Sequence, residues 1–284
     1  FFPFFFFADL IFRLYRVYYI NNMILERWFL MQDSTKFLFI GDSITDGAWA
    51  RNCDPNHILG HGFVFYAAAT LSVEHASQRP KFYNRGVSGQ SSWLIRKRWQ
   101  EDALDIAPDV LTILCGVNDT LRKTPVEPPV NADQEELDHC DVAGYEENLR
   151  YMIESSRAQN PDLKLILGVP FYYVVEDFDT RFSSEGDKKE QRFTRQIRNI
   201  FQKNSERRLS EIAERQNVVR RLAGEYGAIL LDIPALFEKA FALAPRSYWI
   251  WDGVHPTTIG HELIARRWKD CVKERFENRE LRGS

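Results

Sequence analysis

The chain has 284 residues, 44% of them hydrophobic and 27% charged, with a formal net charge of −3. That length builds one large domain or two small ones, either with a full core. The charge balance gives no electrostatic case for nucleic-acid binding, which calls for a basic face, and arginines set among acids, as in RRLSEIAER, read as a solvated helix face.

The first stretch, FFPFFFFADLIFRLYRVYYINN, is densely aromatic and interrupted by Asp9, Arg13 and Arg16. Its apolar run is too short to span a bilayer, so no membrane span is expected. It also lacks the basic start and small-residue cleavage site of a secretory signal. Met31 opens MQDSTKFLFIGDS, which reads as the start of a cytoplasmic enzyme. Residues 1–30 are therefore either sequence upstream of that start or a docking or membrane-touching segment.

From Lys36 onward short apolar runs alternate with longer amphipathic ones. Strands are predicted at 36–40, 81–84, 109–115, 163–170 and 228–233, several apolar on successive residues as doubly buried strands must be. Helices are predicted near 62–78, 91–105, 144–159, 188–225 and 257–276. Asn160-Pro161 stops one of them and Gly227 marks the turn after another. Parallel connections need crossovers, so this alternation predicts a three-layer α/β/α sandwich around a parallel sheet of about five strands. The proline- and acid-rich segment 124–141 and the charged segment 174–216 follow strand ends, where open α/β sheets place their crevices. Both are lid candidates, and both read equally well as surface excursions.

Cys53, Cys115, Cys140 and Cys271 are far apart and form no CxxC pair, which favours free thiols in a reducing compartment. Cys115 ends a predicted core strand and is expected to be buried and inert. His57 and His61 have the spacing of a zinc helix, but the glycines of HILGHG make a loop there. His139, Cys140 and Asp141 are adjacent and cannot converge on one ion. No metal or cofactor is expected.

Ser43 lies just past the first strand, in FLFIGDSITDG. A serine there also serves as a helix N-cap, and its hydroxyl needs a neighbouring base to become a nucleophile. In YWIWDGVHPTTIGHE, Asp252 and His255 are three residues apart, so one short loop can set the carboxylate beneath the imidazole. The alternative is a surface turn whose aspartate caps the next helix. Gly89 in NRGVSGQS and Asn118 in CGVNDT follow the second and third strands and could donate to an oxyanion. Asp46 and Asp119 flank these motifs and suit supporting roles. GVSGQ fits neither a dinucleotide nor a P-loop pattern.

These motifs, in this order, resemble the SGNH or GDSL hydrolase superfamily, from about residue 36 to 272. The resemblance implies a flavodoxin-like fold across 31–284, a catalytic triad of Ser43, Asp252 and His255, and metal-free ester hydrolysis. It also implies an oxyanion hole from the Ser43 and Gly89 N–H groups and the Asn118 side chain. LGHGFV, NRGVSGQSSWLIRKRWQED and WDGVHPTTIGHELIARRW are similar to the bacterial xylan acetylesterase branch, which deacetylates imported oligosaccharides inside the cell. That likeness implies a cytoplasmic enzyme acting on a small-molecule or oligosaccharide ester, and it leaves room for a homo-oligomer. Asp42, Trp93, Trp249 and Trp251 are candidate substrate contacts, with core or interface packing the competing reading of the tryptophans. A lipid-directed esterase, lysophospholipase or thioesterase, and a catalytically silent binding protein on the same fold, are the alternatives.

Overall fold

The computed structural model describes residues 34–51, 54–122, 132–175, 202 and 204–280. The aromatic segment before Ser34 lies outside these residues, as do Cys53, much of each lid candidate (123–131, 176–201 and 203) and the predicted helix over 188–201. Five strands form one sheet: β1 Lys36–Gly41, β2 Lys81–Gly86, β3 Val110–Leu114, β4 Lys164–Gly168 and β5 Ile229–Leu231. Their order is β2-β1-β3-β4-β5, and every pair is parallel. The chain steps outward from β1 to β2 and then returns to β3. A topological switch point therefore falls between β1 and β3, where doubly wound sheets open a crevice at their strand C-termini.

The longer helices are α2 Phe63–Glu74, α6 Val142–Gln159, α7 Ser205–Glu225 and α10 Thr258–Glu280. Shorter ones are α1 Ser43–Asp46, α3 Ser92–Lys97, α4 Val117–Arg122, α5 Gln134–Asp138, α8 Ile233–Phe241 and α9 Arg246–Trp249. Caps set several boundaries. Asp141 accepts from Gly144 N–H at 2.7 Å to begin α6, and Asp232 accepts from Ala235 N–H at 3.1 Å to begin α8.

The pleat of β1 sorts its side chains into two cores. Phe37 and Phe39 join Phe63, Val64, Phe237, Ile264 and Trp268 on one face of the sheet. Leu38 and Ile40 join Ile95, Trp99, Leu149, Met152 and Leu222 on the other. The Trp268 ring lies 4.9 Å from Phe39 and 5.9 Å from Phe37, and its Nε1 donates to Thr112 Oγ1 at 2.9 Å. That bond satisfies the one polar residue in the wholly buried β3. Covering the sheet on both faces yields the predicted three-layer sandwich and leaves the strand C-termini free to carry the site.

Candidate active site

Ser43 is the first residue of α1, and Asp42 rather than Ser43 caps that helix, accepting from Ile44 N–H at 3.0 Å. The serine hydroxyl is thereby spared for another partner. Ser43 Oγ lies 2.8 Å from His255 Nε2, across 212 positions of sequence. His255 Nδ1 lies 2.6 Å from Asp252 Oδ2, while Asp252 Oδ1 accepts the N–H groups of Val254 at 2.9 Å and His255 at 2.7 Å. A carboxylate only accepts, so the imidazole proton sits on Nδ1 and the Nε2 lone pair faces the serine.

The loop carrying this pair is tied to the exit of β4. Gly253 has φ +96°, and a Cβ there would sit 2.2 Å from Tyr173 O, so only glycine fits. Tyr173 N–H donates to Gly253 O at 2.9 Å, and Gln202 Nε2 donates to Asp252 O at 2.9 Å.

Burial opposes a positive charge on His255. The hydrogen bond to Asp252, the charge of that carboxylate and the charge of Asp42 outweigh it, and the pKa lies above 6.5. Burial pushes Asp42 up to about 7, against the pull of Ile44 N–H and His255 and with help from the Asp119 charge. His261 is driven down to about 3 by burial and by its neighbours His255 and His61. Its Nδ1 accepts Phe63 N–H at 3.1 Å, a task that needs the neutral ring.

The donor loops meet the serine loop through hydrogen bonds. Asn118, 6% exposed at the start of α4, donates from Nδ2 to Gln90 O at 3.0 Å, which ties the β3 exit to the β2 exit. Asp46 Oδ2 accepts Ser88 N–H and Ser88 Oγ–H, both at 2.8 Å, which ties α1 to the same turn. No described residue accepts from the N–H of Ser43 or of Gly89. The arrangement thus offers a hydroxyl beside a neutral imidazole, with backbone donors left open nearby.

A model of the GDSL-like lipase/acylhydrolase family matches residues 39–263. The chain belongs to the GDSL-like lipase/acylhydrolase family. It is a carboxylic ester hydrolase. An acetylxylan esterase of Geobacillus stearothermophilus is 29% identical over 234 residues, spanning 81% of this chain and 90% of that protein. Among solved structures, a protein of Parabacteroides merdae described as a GDSL-like lipase superposes with a TM-score of 0.66 at 30% identity, covering 85% of this chain and 96% of that one. The acetylxylan esterase Axe2 of G. stearothermophilus gives 0.66 at 25% identity, covering 86% and 96%. The doubly wound sheet is the one this family of GDSL hydrolases shares.

The four predicted substrate contacts part ways in the GDSL site. The Trp251 ring stacks beside His255, centroids 6.0 Å apart and 23° between planes. Trp93 stacks on His139 at 3.9 Å, and Arg96 and Lys97 also lie over its ring, so protein occupies its faces. Trp249 packs against the core with Tyr248 edge-on at 5.0 Å. Asp42 is 1% exposed and turned to the chain's own Ile44 amide. In the structure Trp93 and Trp249 thus pack against neighbouring side chains, and Asp42 caps α1.

Asp119 takes a supporting place. It is wholly buried and accepts from Ser92 N–H at 3.0 Å and Ser92 Oγ–H at 2.5 Å. Arg122, Glu136 and Gln202 also shape the site, and the sequence reading did not single them out. Their partners lie across loops with no motif to mark them. Among the described residues, no group of three His, Cys, Asp or Glu side chains could hold a metal. No described helix is long and apolar enough to cross a membrane. Cys115, Cys140 and Cys271 are free and buried, and burial pushes the Cys115 thiol well above its ordinary value.

Proposed function

We propose that this hydrolase removes short acyl groups, acetyl above all, from carbohydrate hydroxyls such as those of xylo-oligosaccharides, by double displacement through Ser43. The observation that carries the mechanism is the continuous run from Ser43 Oγ to His255 at 2.8 Å and on to Asp252 at 2.6 Å. His255 Nε2 takes the Ser43 proton as Oγ adds to the acyl carbonyl. The N–H groups of Ser43 and Gly89 and the Asn118 amide receive the oxyanion. His255 returns the proton to the departing sugar oxygen as the C–O bond breaks. Water then adds to the acyl-enzyme by the same route and releases the acid and free Ser43. Asp252 holds the tautomer and steadies the imidazolium.

The acetyl-carbohydrate reading draws on the likeness to acetylxylan esterases and on the Trp251 ring beside His255, an apolar surface suited to a sugar face. The free buried thiols fit a reducing compartment, in keeping with a cytoplasmic enzyme. Ser43→Ala is expected to lower hydrolysis of p-nitrophenyl acetate by about 10⁶-fold. Activity retained in the folded variant refutes the assignment. A panel of p-nitrophenyl esters from acetate to palmitate, run beside acetylated xylose, tests the substrate. Preference for the long chains refutes the acetyl reading.

A further inference from the structure

Gly89 stands in open space. A Cβ built on it meets nothing within 4 Å, and its φ is +79°. Packing therefore does not stop the Ser88–Gly89 peptide from turning, and glycine accepts either sign of φ at little cost. Polar groups hold it on both sides. On the N-terminal side Asp46 Oδ2 accepts Ser88 N–H and Ser88 Oγ–H, both at 2.8 Å. On the C-terminal side Arg122 Nη2 donates to Gly89 O at 2.7 Å. Arg122 Nε is fixed in turn by Glu136 Oε1 at 2.7 Å, the atom that also accepts Ser91 Oγ–H at 2.7 Å. The peptide that carries the Gly89 N–H lies between these two grips.

The carboxylates behind both grips are buried, Asp46 3% exposed and Glu136 2%, while the Arg122 bond to Gly89 O lies at the surface. Screening is weak at the two buried carboxylates, which fixes the anchor of each grip. Asp46 carries a third contact as well. Its Oδ2 also takes Arg51 Nη2 at 3.0 Å, while its Oδ1 is buried with no described partner. Asp46 follows Ser43 by three residues in α1, so one short turn carries both the nucleophile and the anchor of the opposite loop.

We propose that Asp46 and Arg122 are positioning residues that aim the Gly89 N–H at the developing oxyanion. Neither touches the ester, and the proposal rests on the roles given above to Ser43 and Gly89. It is tested with Asp46→Ala, Asp46→Asn and Arg122→Lys in the full chain. Arg122→Lys keeps a cation for Glu136 but lacks the second guanidinium arm that reaches Gly89 O. The readouts are kcat and KM on p-nitrophenyl acetate and inhibition by phenylboronic acid. Ser43 Oγ adds to boron as His255 takes the proton, which places a boron-bound oxygen where the oxyanion forms.

Asp46→Ala and Arg122→Lys are expected to lower kcat about 10- to 100-fold, somewhat less than outright loss of a donor, with KM within about twofold. Boronate inhibition should weaken by a similar factor, because it shares the oxyanion contact. Asp46→Asn retains an acceptor for Ser88 N–H and should recover much of the loss. Unchanged kcat in folded Asp46→Ala or Arg122→Lys overturns the proposal, and so does a fall in their kcat with boronate inhibition intact. If Asp46→Ala does not fold, Arg122→Lys decides by the same readouts. Activity surviving in Ser43→Ala would instead remove the underlying assignment, a separate outcome.

Discussion

Asp252→Asn separates the orienting role of the carboxylate from its packing, because the two side chains have nearly the same shape. Asp252 is fully buried and makes three contacts: two amides on Oδ1 and the imidazole on Oδ2. An asparagine must choose which side receives its NH2. Turning it toward Val254 and His255 N–H would orphan two buried donors at about 1–3 kcal/mol each, or about 2–6 kcal/mol in all. The favoured orientation keeps oxygen on both amides and sets the NH2 against His255 Nδ1. The ring proton then moves to Nε2, facing Ser43, where a lone pair is needed. We expect kcat for p-nitrophenyl acetate to fall by about 10⁴, equivalent to about 5 kcal/mol of barrier, with Tm nearly unchanged. An Asp252→Asn enzyme within tenfold of the parent, at equal Tm, would refute the tautomer reasoning.

The raised pKa of His255 sets the acidic limb of kcat/KM above about pH 6.5, since the base works only when unprotonated. A profile flat down to pH 5 would contradict it. Asp42, raised from 3.8 to about 7 chiefly by burial, binds protons in the folded state that the unfolded chain has released. Its contribution to stability is fully present below about pH 4 and is lost as pH rises through about 7. Asp42→Asn, which keeps an acceptor for Ile44 N–H, should therefore gain Tm relative to the parent between pH 4 and 8, and a constant difference would count against this. Asn118→Ala should lower kcat by about 10²–10³ with a smaller change in KM, as measured by steady-state kinetics.

The layered fold was legible because strands buried on both faces must be apolar throughout, as β3 is in Val110–Leu114. Prediction ran long at 163–170, where Val169 continues the apolar run past β4, and at 228–233, where Asp232 and Ile233 already begin α8. Helix α8 escaped notice although Asp232 and Pro234 form a cap and a first turn. Ile233, Pro234, Phe237 and Ala240 are buried while Glu238 and Lys239 face outward, a period that fits in only about two and a half turns directly after a strand. Within 124–141 the reading expected only loop, but Asp133 caps the short α5 that delivers Glu136 to the site. The contact of Ser43 with His255 and Asp252 was legible because each adjoins a strand end or turn with a recognisable local pattern, the same signal that makes Gly89 and Asn118 candidate donors. The Arg122–Glu136–Ser91 network was not, since its bonds depend on how three loops meet.

Trp268 fills the gap between Phe37 and Phe39, and His255 meets Ser43 from just ahead of the same helix. During synthesis the earliest described strand must therefore wait for the last described helix before its aromatic face is covered. Contacts so distant in sequence slow folding and leave that face open to aggregation while the ribosome is still at work. On the proposed mechanism turnover awaits this closure too, since Ser43 gains its base only when His255 is in place.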